Sequence, residues 1–549
     1  MKHMSVKAPA VAALFICMAC NQTSSSAGSG ISNDVDPNNT VDSTSTTADS
    51  PPSDGDSPDT PSNPPGNDGS DASTSGESTD NKDGGDATGS FGADTTDGIG
   101  ATDGIDGTDE GPIPAPARHV LLIIIDDFGI DSSAAYGDFD LDGTIDDGRT
   151  YAPMPTMHSI CASGIRFFNA WAAPICSPTR GGILTGRYGF RYGIGGPVTK
   201  DNALSTEELT LPEILTAHAP NIAHANIGKW HLGTTSQYGG LNTPNEAGWN
   251  HYAGKPGGSL ESYFDWKRTV NGVEAQVAAY ATTQNVDDTI EWLAAQNPET
   301  PWLVWLAFNA PHIPFHLPPP ELHSNPNLVD DSAEIESNPL PYYRAMLEAL
   351  DTEVGRLRTW IENNGHGPVD IILVGDNGTF KKVIEPPFKA AHSKGTVYEG
   401  GVNVPLCISG PAVMDGGRDA YALVQTVDFF STIGALFDID IATATSGTTI
   451  DSVPFNHVLD NVSDESRTWM YAEVFEVPVP NSKNAVAVRN AQYKLIREAQ
   501  NDGSISEEFF DLLMDPHEDK NLIFSMTETE QGAYAELAST LDTLNPGGP

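Results

Sequence analysis

Two adjacent acids, Asp126 and Asp127, follow the apolar run His119-Val120-Leu121-Leu122-Ile123-Ile124-Ile125. Neighbouring carboxylates repel unless a cation holds them. A second pair, Asp376-Asn377, follows the run from Val369 to Val374. Four oxygen ligands from two strand ends suit a hard cation such as Ca²⁺; the bland alternative is a pair of strand-end turns. Cys176 opens the stretch Cys176-Ser177-Pro178-Thr179-Arg180. Taken alone it reads as a small buried hydrophobe. Arg180 shares a face with it if the segment is helical, where a guanidinium offsets carboxylates. Lys229 and His231 alternate in Ile227-Gly228-Lys229-Trp230-His231-Leu232-Gly233, so an extended segment points both to one side. His312 closes Asn309-Ala310-Pro311-His312, with His316 nearby, and Lys394 lies in His392-Ser393-Lys394-Gly395. Singly, each of these bases reads as a surface charge or a packed imidazole.

The elements that must position these groups are legible. The run 120–125 is continuously apolar and rich in β-branched residues, the pattern of a strand buried on both faces. Trp302 to Phe308 and Val369 to Val374 read the same way, each leading into polar residues. Amphipathic helical stretches lie between, at 279–296 and 342–363. Alternating strands and helices predict an α/β sandwich with a large, mostly parallel sheet, whose sites form beyond the carboxyl ends of the strands. From residue 461 the pattern changes to short strands at 469–474, 485–489 and 493–497, an Asn-Asp-Gly turn at 501–503 and a helix near 529–543. This predicts a small antiparallel subdomain over 461–549, after a catalytic domain over 118–460.

The Cys176 motif, running on into Gly181-Gly182-Ile183-Leu184-Thr185-Gly186, resembles the signature of the sulfatase family. The segments around Lys229, Asn309 and His392 resemble further family motifs and occur in family order, as do Tyr398-Glu399-Gly400-Gly401-Val402, Tyr493-Lys494-Leu495-Ile496-Arg497 and Phe510-Asp511-Leu512. The resemblance implies an alkaline phosphatase-like fold. It implies that a maturation enzyme oxidises Cys176 to formylglycine, whose hydrated gem-diol attacks sulfur. Asp126, Asp127, Asp376, Asn377 and the modified residue 176 would ligate Ca²⁺. Lys229 would bind sulfate, and Arg180 would hold the diol. His312, with Lys394, would protonate the leaving oxygen. His231 would remove the remaining hydroxyl proton, so that sulfate departs and the aldehyde returns. The Gly181-Gly182 pair departs from the small residues usual there and is expected to loosen the helix start. His392 is an additional candidate for the site.

The 549-residue chain carries a net charge of −47. Residues 1–20, with Lys2, Lys7 and an apolar stretch to Ala19, read as a signal peptide. Cys17-Met18-Ala19-Cys20 loosely resembles a lipobox, with Cys17 where Leu is usual, so a lipid anchor at Cys20 is expected. The protein is then exported, to a bacterial cell envelope or beyond it. Residues 21–117 hold 19 acids against one base, Lys82, and almost no large apolar side chain, the composition of a disordered, self-repelling linker. The remaining residues still carry −31, which argues against a nucleic-acid partner. Asp138, Asp140, Asp142 and Asp146, with Gly143, resemble a calcium loop, but Arg149 stands where an EF-hand has Glu. A second, structural Ca²⁺ there competes with an acidic surface loop. Cys161 and Cys407 are read as two buried thiols, with pairing open.

The resemblance implies a sulfated small molecule or glycan as substrate. Segments 234–275 and 313–341 are expected to rim the pocket, with Trp249, His251, Tyr263, Trp266 and Lys267 as stacking candidates or packing residues. Two other functions remain open: a phosphoester hydrolase of the same superfamily, and a non-catalytic surface binding protein.

Overall fold

The structure, a computed structural model, describes residues 118–137, 150–198, 202–233, 240–475 and 484–546. The leader with Cys20, the acidic linker and the calcium-type loop 138–147 lie outside the described residues. His119–Ile125 is a strand with all seven residues buried. Its alternate side chains enter two separate cores: Val120, Leu122 and Ile124 on one face, Leu121, Ile123 and Ile125 on the other. Six consecutive apolar residues, Val120 to Ile125, are what two covered faces demand.

That strand lies inside a ten-stranded sheet. Val369–Gly375, His119–Ile125, Trp302–Ala307, Ala223–Lys229 and His251–Lys255 run parallel, each paired with the next. Antiparallel pairings extend it on both sides, through Leu406–Ser409 and through Trp266–Val270. The register brings the site's segments level. Ile124 pairs with Ala307 and with Val374, and Ala307 pairs with Gly228. The residues just beyond, Asp126, Asp376, Lys229 and Asn309, therefore emerge on one edge.

The helix Leu340–Asn363 buries Tyr343, Leu347, Leu350, Val354, Leu357 and Ile361 against the sheet, at helical spacing. The helix Ala281–Ala294 covers the same side. A separate four-stranded antiparallel meander, Met470–Val474, Ala485–Arg489, Tyr493–Ala499 and Ile505–Asp511, is closed by the helix Glu528–Leu544. Thr527 and Glu530 form its capping box, which satisfies backbone N–H groups that the first turn leaves free.

Two expectations need correction. Cys161 and Cys407 are not thiols: they form a disulfide across 246 residues of sequence, with Cα atoms 5.0 Å apart. Only the fold brings the helix Pro155–Ser163 against the strand Leu406–Ser409. The glycine pair does not loosen its helix either, because Cys176–Thr185 is continuous. A Cβ on Gly181 would lie 2.7 Å from the Tyr192 hydroxyl, so close packing accounts for the absent side chain.

Candidate active site

Cys176 is the first residue of the helix Cys176–Thr185 and is buried. Thr179, in the first turn, donates its hydroxyl to the Asp376 main-chain carbonyl at 2.7 Å. Arg180, one turn on, is fully buried. Its Nη2 and Nε donate to Asp376 Oδ2 at 2.7 and 3.2 Å, and its Nη1 donates to the Lys229 carbonyl at 2.7 Å. The helix start is thus tied to two strand ends at once.

Asp126 and Asp127 are both buried. Lys229 Nζ donates to Asp126 Oδ2 at 2.5 Å, and Lys394 pairs with Asp127 Oδ1. Asn377 Nδ2 also donates to Asp127 Oδ1, at 2.9 Å, and the Asp127 amide donates to Asp376 Oδ1 at 3.1 Å. Asp126 Oδ1 and Asn377 Oδ1 are buried with no hydrogen-bond donor. Orphaned acceptor oxygens are costly, and a hard cation satisfies such a set. Ligand atoms of Asp126, Cys176 and Asp376 lie within 4.8 Å of one another, as do those of Asp126, Asp127 and His312. The donor set therefore fits a calcium-type ion, with His312 closer to it than the sequence suggested.

Burial and the Asp376 charge push Asp126 well above the usual carboxylate range. Burial acts the same way on Asp127, but the Lys394 ammonium, His312 and Asn377 outweigh it and hold that carboxyl low. Burial, with Lys229 and Arg180 adding repulsion, depresses His231. Burial lowers His312 to about 4, against the pull of Asp127. Burial likewise raises the Cys176 thiol, although Lys229 and Lys394 oppose it.

The strand Ala223–Lys229 ends at the lysine, and His231 has φ 58°. An extended segment through His231 was the wrong picture: its backbone turns into the left-handed region. Asp127 does the same, with φ 59°. Each such residue costs about 1–2 kcal/mol, so neighbours must hold it. The Tyr343 hydroxyl donates to the Asp127 carbonyl at 2.9 Å. The His231 amide donates to the Pro256 carbonyl at 3.1 Å, and the Ser177 hydroxyl donates to the His231 carbonyl at 2.8 Å. Gly258 backs the His231 ring: a Cβ there would meet Nε2 at 2.2 Å. Nδ1 of His231 has no partner, whereas Nδ1 of His312 lies 2.8 Å from the Ile313 carbonyl, which leaves Nε2 of His312 for other work.

All ten site residues chosen from sequence are placed at the sheet's carboxyl edge. The supporting residues were missed. The Tyr263 hydroxyl lies 2.7 Å from the carbonyl oxygens of both Asn309 and His312, and its one proton serves either; no spacing rule marks it or Tyr343 for these tasks. The proposed stacking set does not form a rim. Trp249, Tyr263 and Trp266 are core residues. Trp249 packs edge-on against Trp305, their ring centroids 5.9 Å apart. Lys267 pairs with Glu274 on the surface. His251 is half-buried, with Trp292 beside it. His392 stacks flat on Tyr398 at 3.7 Å, and His316 Nε2 lies 3.1 Å from the Tyr280 hydroxyl.

A mostly parallel, helix-covered sheet with acids, lysines and an arginine at its carboxyl edge belongs to the alkaline phosphatase-like class. Residues 118–439 match the sulfatase family model, and residues 390–545 match that of the N-sulphoglucosamine sulphohydrolase C-terminal region. The chain is a member of the sulfatase family. It is 24% identical to arylsulfatase J of Mus musculus over 409 residues, 69% of this chain and 64% of that protein, and so spans just under two thirds of that relative. It is 26% identical to the ulvan-active sulfatase of Formosa agariphila over 399 residues, 68% of this chain and 73% of that one. A solved structure in complex with its substrate D-glucosamine-2-N,6-O-disulfate shares the fold. It has a TM-score of 0.62 and 19% identity, covering 79% of this chain and 99% of the other.

Proposed function

We propose that this chain hydrolyses aryl or carbohydrate sulfate esters, using formylglycine made from Cys176 and one Ca²⁺ ion. The observation that carries the reading is the placement of Cys176. It stands at a helix start, its sulfur among the carboxylate oxygens of Asp126 and Asp376, in the same buried cluster as Lys229 and Arg180.

When present, the hydrated aldehyde supplies a nucleophilic oxygen and the cation supplies fixed positive charge. The remaining work falls to the side chains. Asp126, Asp127, Asp376 and Asn377 would hold the cation. Arg180, locked by Asp376 and the Lys229 carbonyl, orients the residue-176 side chain. Lys229 and Lys394 hold sulfate oxygens and offset charge that develops on them. His312, with Lys394, delivers a proton from Nε2 to the leaving oxygen. Its low proton affinity without substrate is consistent with that task, because a bound sulfate ester is an anion and acts in the same sense as Asp127. His231, uncharged near neutral pH, accepts the proton from the residue-176 hydroxyl that allows sulfate to leave.

Export through residues 1–20, with lipidation at Cys20, is part of the proposal. The Cys161–Cys407 bond supports it, since disulfides persist in oxidising compartments. Maturation then requires a formylglycine-generating enzyme. Mass spectrometry of the peptide 166–187 tests the nucleophile: conversion lowers the mass by about 18 Da, and an unmodified thiol in active protein sinks the reading. Parallel assays with aryl sulfate and aryl phosphate test the substrate class, and a preference for phosphate overturns it.

A further inference from the structure

Far from the catalytic strand ends in sequence, the C-terminal meander contributes a buried charge cluster. Lys494, in the strand Tyr493–Ala499, is fully buried. Its Nζ lies 3.0 Å from Glu399 Oε1 and 2.7 Å from Glu518 Oε1. Glu399 Oε2 accepts from Trp171 Nε1 at 3.3 Å and from Asn403 Nδ2 at 3.0 Å, and Arg489 Nη1 is 3.5 Å away. Glu518 Oε2 accepts from the Glu399 backbone N–H at 2.6 Å, holding the first turn of the short helix Glu399–Val402.

That helix turn touches three parts of the site, the first being the Lys394 segment: a Cβ on Gly401 would lie 2.8 Å from the Ser393 carbonyl and 2.1 Å from the Thr396 carbonyl. Gly378, which follows Asn377, donates its amide to the Gly401 carbonyl at 2.9 Å, and a Cβ on it would lie 2.0 Å from the Gly400 carbonyl. The Ala172 amide donates to Val402 O at 2.8 Å, four residues before Cys176. Lys394 and Gly395, just upstream, donate their amides to Thr379 O at 3.1 Å and Pro174 O at 2.8 Å. A buried ion-pair cluster is weak evidence for stability, because apolar side chains of similar volume often do as well. What it supplies here is a fixed position for the Glu399 turn.

We infer that Lys494, with Glu399 and Glu518, is a positioning cluster through which the C-terminal meander sets the places of Lys394 and Asn377. This rests on the sulfatase reading for its kinetic consequence but not for its structural one. Two readouts test it in the matured full chain: turnover of an aryl sulfate, and amide hydrogen exchange. The variant is K494M/E518M, which removes one charge of each sign and leaves Glu399 beside Arg489. We expect faster exchange across 376–401 with the 119–125 strand unchanged, and a fall in kcat of about 10- to 100-fold with KM within about threefold of wild type. Should the double variant not fold, Glu518→Gln is expected to move both readouts in the same direction. Wild-type exchange across 376–401 overturns the inference, as does faster exchange with kcat unchanged. A wild-type chain inert towards sulfate esters overturns the functional reading instead, and exchange alone then judges the cluster.

Discussion

Arg180 and Asp376 form a fully buried ion pair, Nη2 to Oδ2 2.7 Å, between the helix that presents residue 176 and the end of the strand Val369–Gly375. The guanidinium also reaches the Lys229 carbonyl at 2.7 Å. A lysine has one point charge and cannot span both partners. Arg180→Lys is therefore expected to lower kcat/KM on an aryl sulfate by about 100-fold or more. Arg180→Ala leaves Asp376 buried without its counter-ion and is expected to destabilise the fold by about 3–5 kcal/mol, measured by denaturant unfolding. Wild-type kinetics in Arg180→Lys would show that the double contact has no part in catalysis.

Cys176→Ser separates attack from release. A serine hydroxyl can accept the sulfuryl group, but it lacks the second hydroxyl needed to expel sulfate. The variant is expected to release one equivalent of aryl alcohol and stop, with the mass of one SO₃ group added at residue 176. Steady turnover by the serine variant would refute the gem-diol mechanism.

Calcium removal tests the oxygen cluster. Chelation is expected to abolish turnover, and added Ca²⁺ to restore it. Asn377→Ala removes an oxygen that has no donor on the protein side, so its calcium titration is expected to shift to higher concentration by at least tenfold. An activity indifferent to chelator would exclude the ion from the reaction.

Glu473 offers a pH test away from the catalytic groups. Burial raises its carboxyl to about 7, although the Phe190 amide and Tyr471 hydroxyl donate to it. Below about pH 4.5 the group is protonated in both folded and unfolded chains and has no effect. As pH rises towards 7 the unfolded chain ionises first, so stability falls, by up to about 3 kcal/mol above pH 7. Glu473→Gln is expected to unfold at a higher temperature than wild type at pH 8 and at the same temperature at pH 4.5. An equal difference at both pH values would mean that ionisation is not the cause.

Much of this site is legible in the chain because it is built from strand ends. The apolar run before Asp126, short and rich in β-branched residues, reads as a strand covered on both faces, and the run before Asp376 reads alike apart from Asp370. Once both are placed in a parallel sheet, their terminal oxygens meet. Arg180 is equally readable, four residues after Cys176 on one helix. The substrate rim was not readable. Trp249 and Trp266 are as apolar in the core as they would be in a pocket, and only packing distinguishes the two. The left-handed turn at His231 is similarly hidden, because it depends on contacts from Pro256 and Ser177.

The sequence by itself marked the candidate residues and the sheet that presents them: the strands follow from local periodicity, and the roles proposed for Cys176, His231 and His312 from the resemblance of their segments to sulfatase motifs. Tertiary structure decided which groups pair. Lys229 meets Asp126 and Lys394 meets Asp127, Cys161 bonds Cys407, and Lys494 reaches Glu399 from another sheet. Pairing between groups 95 or more residues apart is set by register and burial, and neither property belongs to any short stretch of chain.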